Sequence, residues 1–274
     1  MKCFEGCMRK LFLSFVLFIL FFVLSAGSGL VFDSASRVLA ENNQTRSENN
    51  GSGDDLMAEL GMDYDESKQP AIADPLEPWN RIMFQVNDKL YFWLLHPVGR
   101  GYAATLPQPW RESFGQAFYN LATPVRAVND LLQGRLVRAG REVGSCLINT
   151  LFGFAGLLKP SEGIPALNPE PRDTDGGLTL GTWGIGHGIY FFWPVIGPSS
   201  LRDSVGKVGD LFLQPLYYFT PLEVEVAVQA GEGINYLSLN LDQYKDLKEG
   251  ALDPYTAFKD GYIQYRRSAL QADE

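Results

Sequence analysis

The groups able to do chemistry in this sequence are few, and their surroundings do not assemble them for it. There are two histidines, His96 and His187, and three cysteines, Cys3, Cys7 and Cys146. That is too small a set for a Cys/His zinc site. Cys3 and Cys7 precede a long apolar run, so only Cys146 stays with the body of the chain, and no internal disulfide is expected there. Cys146 lies in SCLINTLFGFAGLL and reads as a buried, inert thiol. His187 sits among glycines and reads as a turn residue or hydrogen-bond donor in preference to a general base. The G-x-S-x-G elbow of a hydrolase is absent. Ser200 and Asp203 instead have the spacing of a helix capping box, which explains the serine without catalysis. Arg202 beside Asp203 reads as a surface ion pair at the same helix start. Gly184-Ile-Gly-His-Gly188 matches neither the dinucleotide fingerprint nor the phosphate loop, so its glycines are assigned to turns. The carboxylate pairs Asp54–Asp55 and Asp173–Asp175 fall in segments that read as solvated. No catalytic residue, cofactor or metal is expected.

The formal net charge of −9 excludes nucleic acid as a partner, because phosphate contacts need clustered basic charge. Hydrophobic residues at 46% allow a sizeable core or a lipid-facing belt. The most informative stretch is residues 177–203, GLTLGTWGIGHGIYFFWPVIGPSSLRD. Its centre, Gly188 to Pro198, is uncharged and too rich in Gly and Pro for a helix interior. It is also shorter than the ~20 residues a spanning helix needs. It therefore reads as a buried turn-rich segment, or as a loop or hairpin dipping into lipid. Tyr190, Phe191, Phe192 and Trp193 divide between protein core and a membrane-contacting role at a channel mouth.

The elements that must position these residues are mostly helical. Leu76 to Leu95 carries an apolar stripe of Trp79, Met83, Val86, Leu90 and Leu94, with Asn80, Arg81, Asn87 and Asp88 opposite. Further helices are expected over Gln108–Leu121, from Thr123-Pro124 to before Gly134, and from about Arg135 to Phe152 with Leu136, Val143, Leu147 and Leu151 on one face. Gly140 and Gly144 are spaced to admit a neighbouring helix. A helix should start at Ser200 and end by Pro215, a long polar one should run from Leu222 to about Lys248, weakened at Gly231 and Gly233, and a last one from Asp253-Pro254 to Arg267. The hairpin candidates lie inside Thr179–Val195. Ahead of these, residues 1–40 read as a signal segment cleaved after Ala26 or Ala40, residues 41–73 as a disordered polar tether, and residues 74–267 as the folded domain with a tail at 268–274.

Four motifs in order carry a resemblance: Asp74-Pro-Leu-Glu-Pro-Trp-Asn-Arg81 with Asn87-Asp88, Asn149-Thr-Leu-Phe-Gly153, Leu180-Gly-Thr-Trp-Gly184, and Gly197-Pro-Ser-Ser-Leu-Arg-Asp203. With the terminal Asp253-Pro-Tyr255 they resemble the MlaA (VacJ) family over about residues 72–267. The resemblance implies a single ring-like helical domain embedded in the outer membrane of a Gram-negative bacterium. It also implies a non-enzymatic channel that takes phospholipid mislocalised in the outer leaflet and hands it to a periplasmic MlaC-like carrier, on the periplasmic side, beside a trimeric porin. Under it, Trp79, Asn80 and Arg81 are expected to gate the passage, and Ser200, Arg202 and Asp203 to be structural. The family's members are lipoproteins, whereas Gly27–Ala40 contains no Cys. Gly176-Gly-Leu-Thr179 and Gly188-Ile-Tyr190 also depart from the family's Phe-Gly-Gln-Thr and Gly-Pro-Tyr. A structural adaptor between porins or envelope layers, and a lipid hydrolase, are the alternative readings.

Overall fold

The computed structural model describes residues 74–167 and 174–271. The signal segment, the tether and Asp173 lie outside the described residues. Helix α1, Glu77–Leu90, starts on Pro78 with Glu77 in its first turn, where a carboxylate favours the helix dipole. It widens into a π-helical stretch, Tyr91–Leu95, in which His96 N–H reaches back to the Tyr91 carbonyl, and resumes as α2, His96–Thr105. Pro97 explains the widened turn: it has no N–H to donate into a regular helix. Then come α3 (Gln108–Leu121), α4 (Thr123–Leu132) and α5 (Leu136–Phe152). Gly134, at φ +79, ends α4 in a Schellman motif, with Arg135 N–H on the Asp130 carbonyl at 2.8 Å.

A short α6 (Gly176–Thr182) leads to a hairpin of β1 (Tyr190–Trp193) and β2 (Gly197–Ser200). The strands are antiparallel, with Tyr190 opposite Ser200 and Trp193 opposite Gly197. The chain closes with α7 (Leu201–Leu211), α8 (Pro215–Phe219), α9 (Leu222–Leu239), α10 (Gln243–Gly250) and α11 (Pro254–Gln271). The mostly helical class agrees with the sequence reading; the hairpin expected inside Thr179–Val195 has its first strand there, but its second strand, Gly197–Ser200, lies beyond it. Three further details differ. The Thr179 end of the hairpin region is helical. The long helix after Leu222 breaks at Asn240–Asp242, not at Gly231 or Gly233, and α11 runs past Arg267. Gly140 faces open space and Gly144 meets the Leu167 side chain, so neither receives a helix.

The apolar core is small and aromatic. Phe84 of α1 and Tyr91 of the π-helical stretch share one cluster with Tyr190 and Phe192 of β1 and Tyr255, Phe258 and Tyr262 of α11. Their rings pack edge-on or tilted, as at Phe84–Phe192 (5.6 Å) and Tyr190–Tyr262 (6.1 Å). This brings the first described helix against the last. Elsewhere α6 and α7 touch backbone to backbone: a Cβ on Gly206 would collide with Gly176 and Gly177.

Candidate functional site

Amphipathic helices normally bury their apolar stripe. Here the apolar stripes lie outside and the polar faces inside. On α1 the buried positions are Asn80, Phe84 and Asn87, while Trp79, Ile82 and Val86 are exposed. On α5 the buried face is Ala139, Glu142, Ser145 and Asn149, and Leu136, Val143, Leu147 and Leu151 are exposed along its length. On α7 the inner face is Arg202, Asp203 and Gly206, and the outer one is Leu201, Val205, Val208 and Phe212. Trp93 is 81% and Phe219 85% exposed. Among the described residues, buried polar side chains outnumber buried apolar ones. Scattered exposed apolar groups are ordinary; whole helix faces of them above a polar interior are not. Each large apolar side chain left in water forgoes ~1.5–3 kcal/mol. A lipid surrounding removes that penalty.

The interior is wired, not merely polar. Asn80 donates to the Tyr190 carbonyl (3.2 Å) and to Asp74 (2.8 Å), and accepts from Phe192 N–H (2.9 Å). Two turns on, Asn87 donates to the Trp193 carbonyl (2.8 Å) and accepts from Val195 N–H (2.7 Å). Asn80 thus pairs the free edge of β1 as a strand would, and Asn87 holds the turn that follows it. Val195, at φ +67, is held in its turn by the second of them.

A second network joins α6, α7 and α11. Arg266 forks onto Asp175 (2.6 and 2.9 Å), and its Nε lies 2.7 Å from Asp203 Oδ2. Arg202 pairs with Asp203 at 2.9 Å, and Tyr262 donates to the same carboxylate. Burial opposes the charge of Asp203, yet Arg266, then Arg202, then the Tyr262 hydroxyl overcome it and hold the carboxyl below its ordinary range. Ser200 caps α7 by accepting from Asp203 N–H at 3.2 Å. Asp210 accepts from Gly176 N–H (2.8 Å) and Asn129 (2.7 Å), and burial pushes its pKa up to about 6. A third pair, Arg126 on Glu142 at 3.1 Å with Tyr119 stacked on the guanidinium at 3.5 Å, sits between α4 and α5.

The residues singled out by sequence are therefore distributed as follows. Trp79, Asn80 and Arg81 diverge: Trp79 faces outward, Asn80 holds β1, and Arg81 joins Glu77 (2.7 Å) and Asp253 (2.8 Å). They form no single surface. Tyr190 and Phe192 are enclosed in the aromatic core, which removes them from the expected membrane contact; Phe191 and Trp193 stay partly exposed. The Arg202–Asp203 pair is buried, not superficial, because Arg266 and Tyr262 close over it. Asp175 is likewise drawn into that network, as N-cap of α6. Cys146 is half-buried, with Sγ 3.5 Å from the Asn120 carbonyl. His187 is pushed down to about 4 by burial and by Arg202, and so stays neutral. Sequence reasoning placed Asp175 in a solvated segment, whereas it is paired with Arg266, and did not reach Asp210 or Arg266; only the spacing of Asp203 hinted at the network.

No helix among the described residues is long and apolar enough to cross a membrane, and no group of three His, Cys, Asp or Glu there could hold a metal. A family model described as MlaA lipoprotein matches residues 72–269. An uncharacterised protein of Rickettsia felis is 30% identical over 206 residues, covering 74% of this chain and 80% of its own. The intermembrane phospholipid transport system lipoprotein MlaA of Escherichia coli is 30% identical over 200 residues, 72% of this chain and 78% of its own. A solved structure, from work on the maintenance of bacterial outer membrane lipid asymmetry, superposes with a TM-score of 0.65 at 30% identity, covering 72% of this chain and 99% of that one.

Proposed function

This chain belongs to the MlaA family, and from that membership we propose that it is a non-enzymatic phospholipid channel of the outer membrane. In this reading it takes mislocalised lipid from the outer leaflet and passes it to a periplasmic carrier, which maintains lipid asymmetry. The observation that carries the reading is the inverted polarity of α1, α5 and α7. Outward Trp79, Val143, Leu147 and Val205 suit hydrocarbon, and the inward amides and ion pairs suit a phospholipid head group. Moving that head group through hydrocarbon leaves its polar groups unpaired at a cost of several kcal/mol. A sheltered polar route lowers this barrier while the acyl tails stay among lipid. No covalent bond need change, and neutral His187 and the capping Ser200 are spent on structure. The ring shape, the porin neighbour and the MlaC-like acceptor are part of the proposal.

The test is surface-exposed phospholipid in a deletion strain, with and without the restored gene. A rise on deletion that the wild-type gene reverses supports the channel. An unchanged outer leaflet favours the adaptor reading. Release of free fatty acid from added phospholipid by the purified protein would instead identify a hydrolase.

A further inference from the structure

Helix α9 carries a buried set of acceptors that, among the described residues, forms no ion pair. Glu225, Gln229 and Glu232 are spaced i, i+4 and i+7 and so share one face. Glu225 and Gln229 are each only 4% exposed. Gln229 Nε2 donates to Glu225 Oε1 at 3.4 Å, which leaves Gln229 Oε1 buried with no partner. Flipping the amide does not help, because it would set oxygen against carboxylate. Among the described residues Glu225 forms no ion pair, although burying a carboxylate without a cation costs several kcal/mol. Burial also raises the carboxyl pKa of Glu232, opposed only by the charge of Arg126. That guanidinium is already committed: it bonds Glu142 through Nε and Nη2, bonds Thr123, and stacks on Tyr119. Farther along the same helix the inward face is satisfied, since Asn235 bonds the Arg111 carbonyl (2.9 Å) and Arg111 bonds Ser238 (2.6 Å to its carbonyl). The unmet demand is confined to the Glu225 end.

A ligand here must bring donors and positive charge. A hard metal ion is usually held by several carboxylates, and among the described residues no group of three His, Cys, Asp or Glu is placed to hold one. A primary ammonium brings three N–H donors on a compact charge, which suits two carboxylates and one amide oxygen. We propose that Glu225, Gln229 and Glu232 form a subsite for a primary ammonium, supplied by the head group of an aminophospholipid. This rests on the phospholipid-channel reading and adds a preference among head groups. An anionic glycerol head group would instead meet like charge.

The full-length protein in detergent would be offered equal amounts of phosphatidylethanolamine and phosphatidylglycerol with identical acyl chains, and the bound lipid measured by mass spectrometry. The expected result is enrichment of the ammonium lipid by about tenfold, the scale of one hydrogen-bonded charge, falling toward parity in Glu225→Gln or Glu232→Gln. An excess of ethylamine separates the sources: failure to displace bound phosphatidylethanolamine marks the lipid as occupant, and displacement at low concentration would overturn the lipid assignment in favour of a soluble amine. Equal binding of both lipids by the wild type overturns the subsite and leaves the channel standing, a result that needs no variant to fold. Binding of neither lipid overturns both.

Discussion

Asn80 and Phe192 lie on different elements, yet the Asn80 side chain accepts the Phe192 N–H at 2.9 Å while donating to the Tyr190 carbonyl at 3.2 Å. A helix side chain thereby occupies the place of a third strand. Replacing it by alanine orphans two backbone groups in a buried position, each worth ~1–3 kcal/mol. Asn80→Ala should lower stability by about 2–4 kcal/mol, with faster amide exchange over Tyr190–Val195. If exchange there is unchanged, α1 does not pin the hairpin.

Arg266 faces two carboxylates, Asp175 and Asp203, and is itself 5% exposed. Arg266→Met strips Asp175 of its cation and leaves Asp203 with Arg202 and Tyr262 only, and should cost about 3–5 kcal/mol. Arg266→Lys keeps the charge but loses the fork, so the loss should be smaller. The acid side has a definite sign. Asp203 is depressed in the folded state, so its contribution is present above the ordinary carboxyl range near pH 4 and fades as pH falls below it. Denaturant titrations from pH 5 down to pH 2 should show this slope in the wild type and a shallower one in Arg266→Met.

Lys207 makes the opposite case. Among the described residues its Nζ is buried with no hydrogen-bond partner, and burial pushes its pKa down to about 8. The unfolded chain binds that proton more tightly, so stability should rise with pH between about 8 and 10.5. Below that window the charged amine is a burden. Lys207→Met should stabilise the protein at pH 7 by about 1–3 kcal/mol and remove the alkaline rise. A destabilised variant would mean that Lys207 has a partner in the native protein.

Much of the fold was legible, and what was missed has one physical origin. The limits of α3 follow from Pro107 to Pro109 at one end and the Thr123-Pro124 start at the other, both local chemistry. The Ser200 cap was equally local. Apolar stripes were also located correctly: Leu136, Val143, Leu147 and Leu151 do share a face. Their direction was not legible from periodicity alone, which reports which residues lie together; assigning such a face to the core assumes water outside, and assigning it outward assumes lipid. Asn80 and Asn87 look like a solvent face until Tyr190 and Val195, over a hundred positions later, present their backbone to them. The ion network failed to show for the same reason: Asp175, Asp203 and Arg266 come from three helices, and no local spacing joins them.

That inverted polarity yields a last prediction. Leu147 and Leu151 are exposed on α5, on the face opposite its buried residues. In a water-soluble protein, lysine at either site would be close to neutral or would aid solubility. With hydrocarbon outside, each lysine must carry its charge into lipid or bend it to the surface. The penalty is ~2–4 kcal/mol at mid-depth and falls to ~0–1 at the interface. Leu147→Lys with Leu151→Lys should therefore leave the helical signal and the denaturation midpoint in detergent unchanged, while partitioning into phospholipid vesicles falls at least tenfold. A paired substitution on the inner face, Ser145→Leu with Asn149→Leu, should do the reverse: it removes the Asn149 bond to Ser161 N–H (3.1 Å) and lowers stability with little effect on partitioning. If the two pairs behave alike, the outward apolar faces are covered by protein, not lipid.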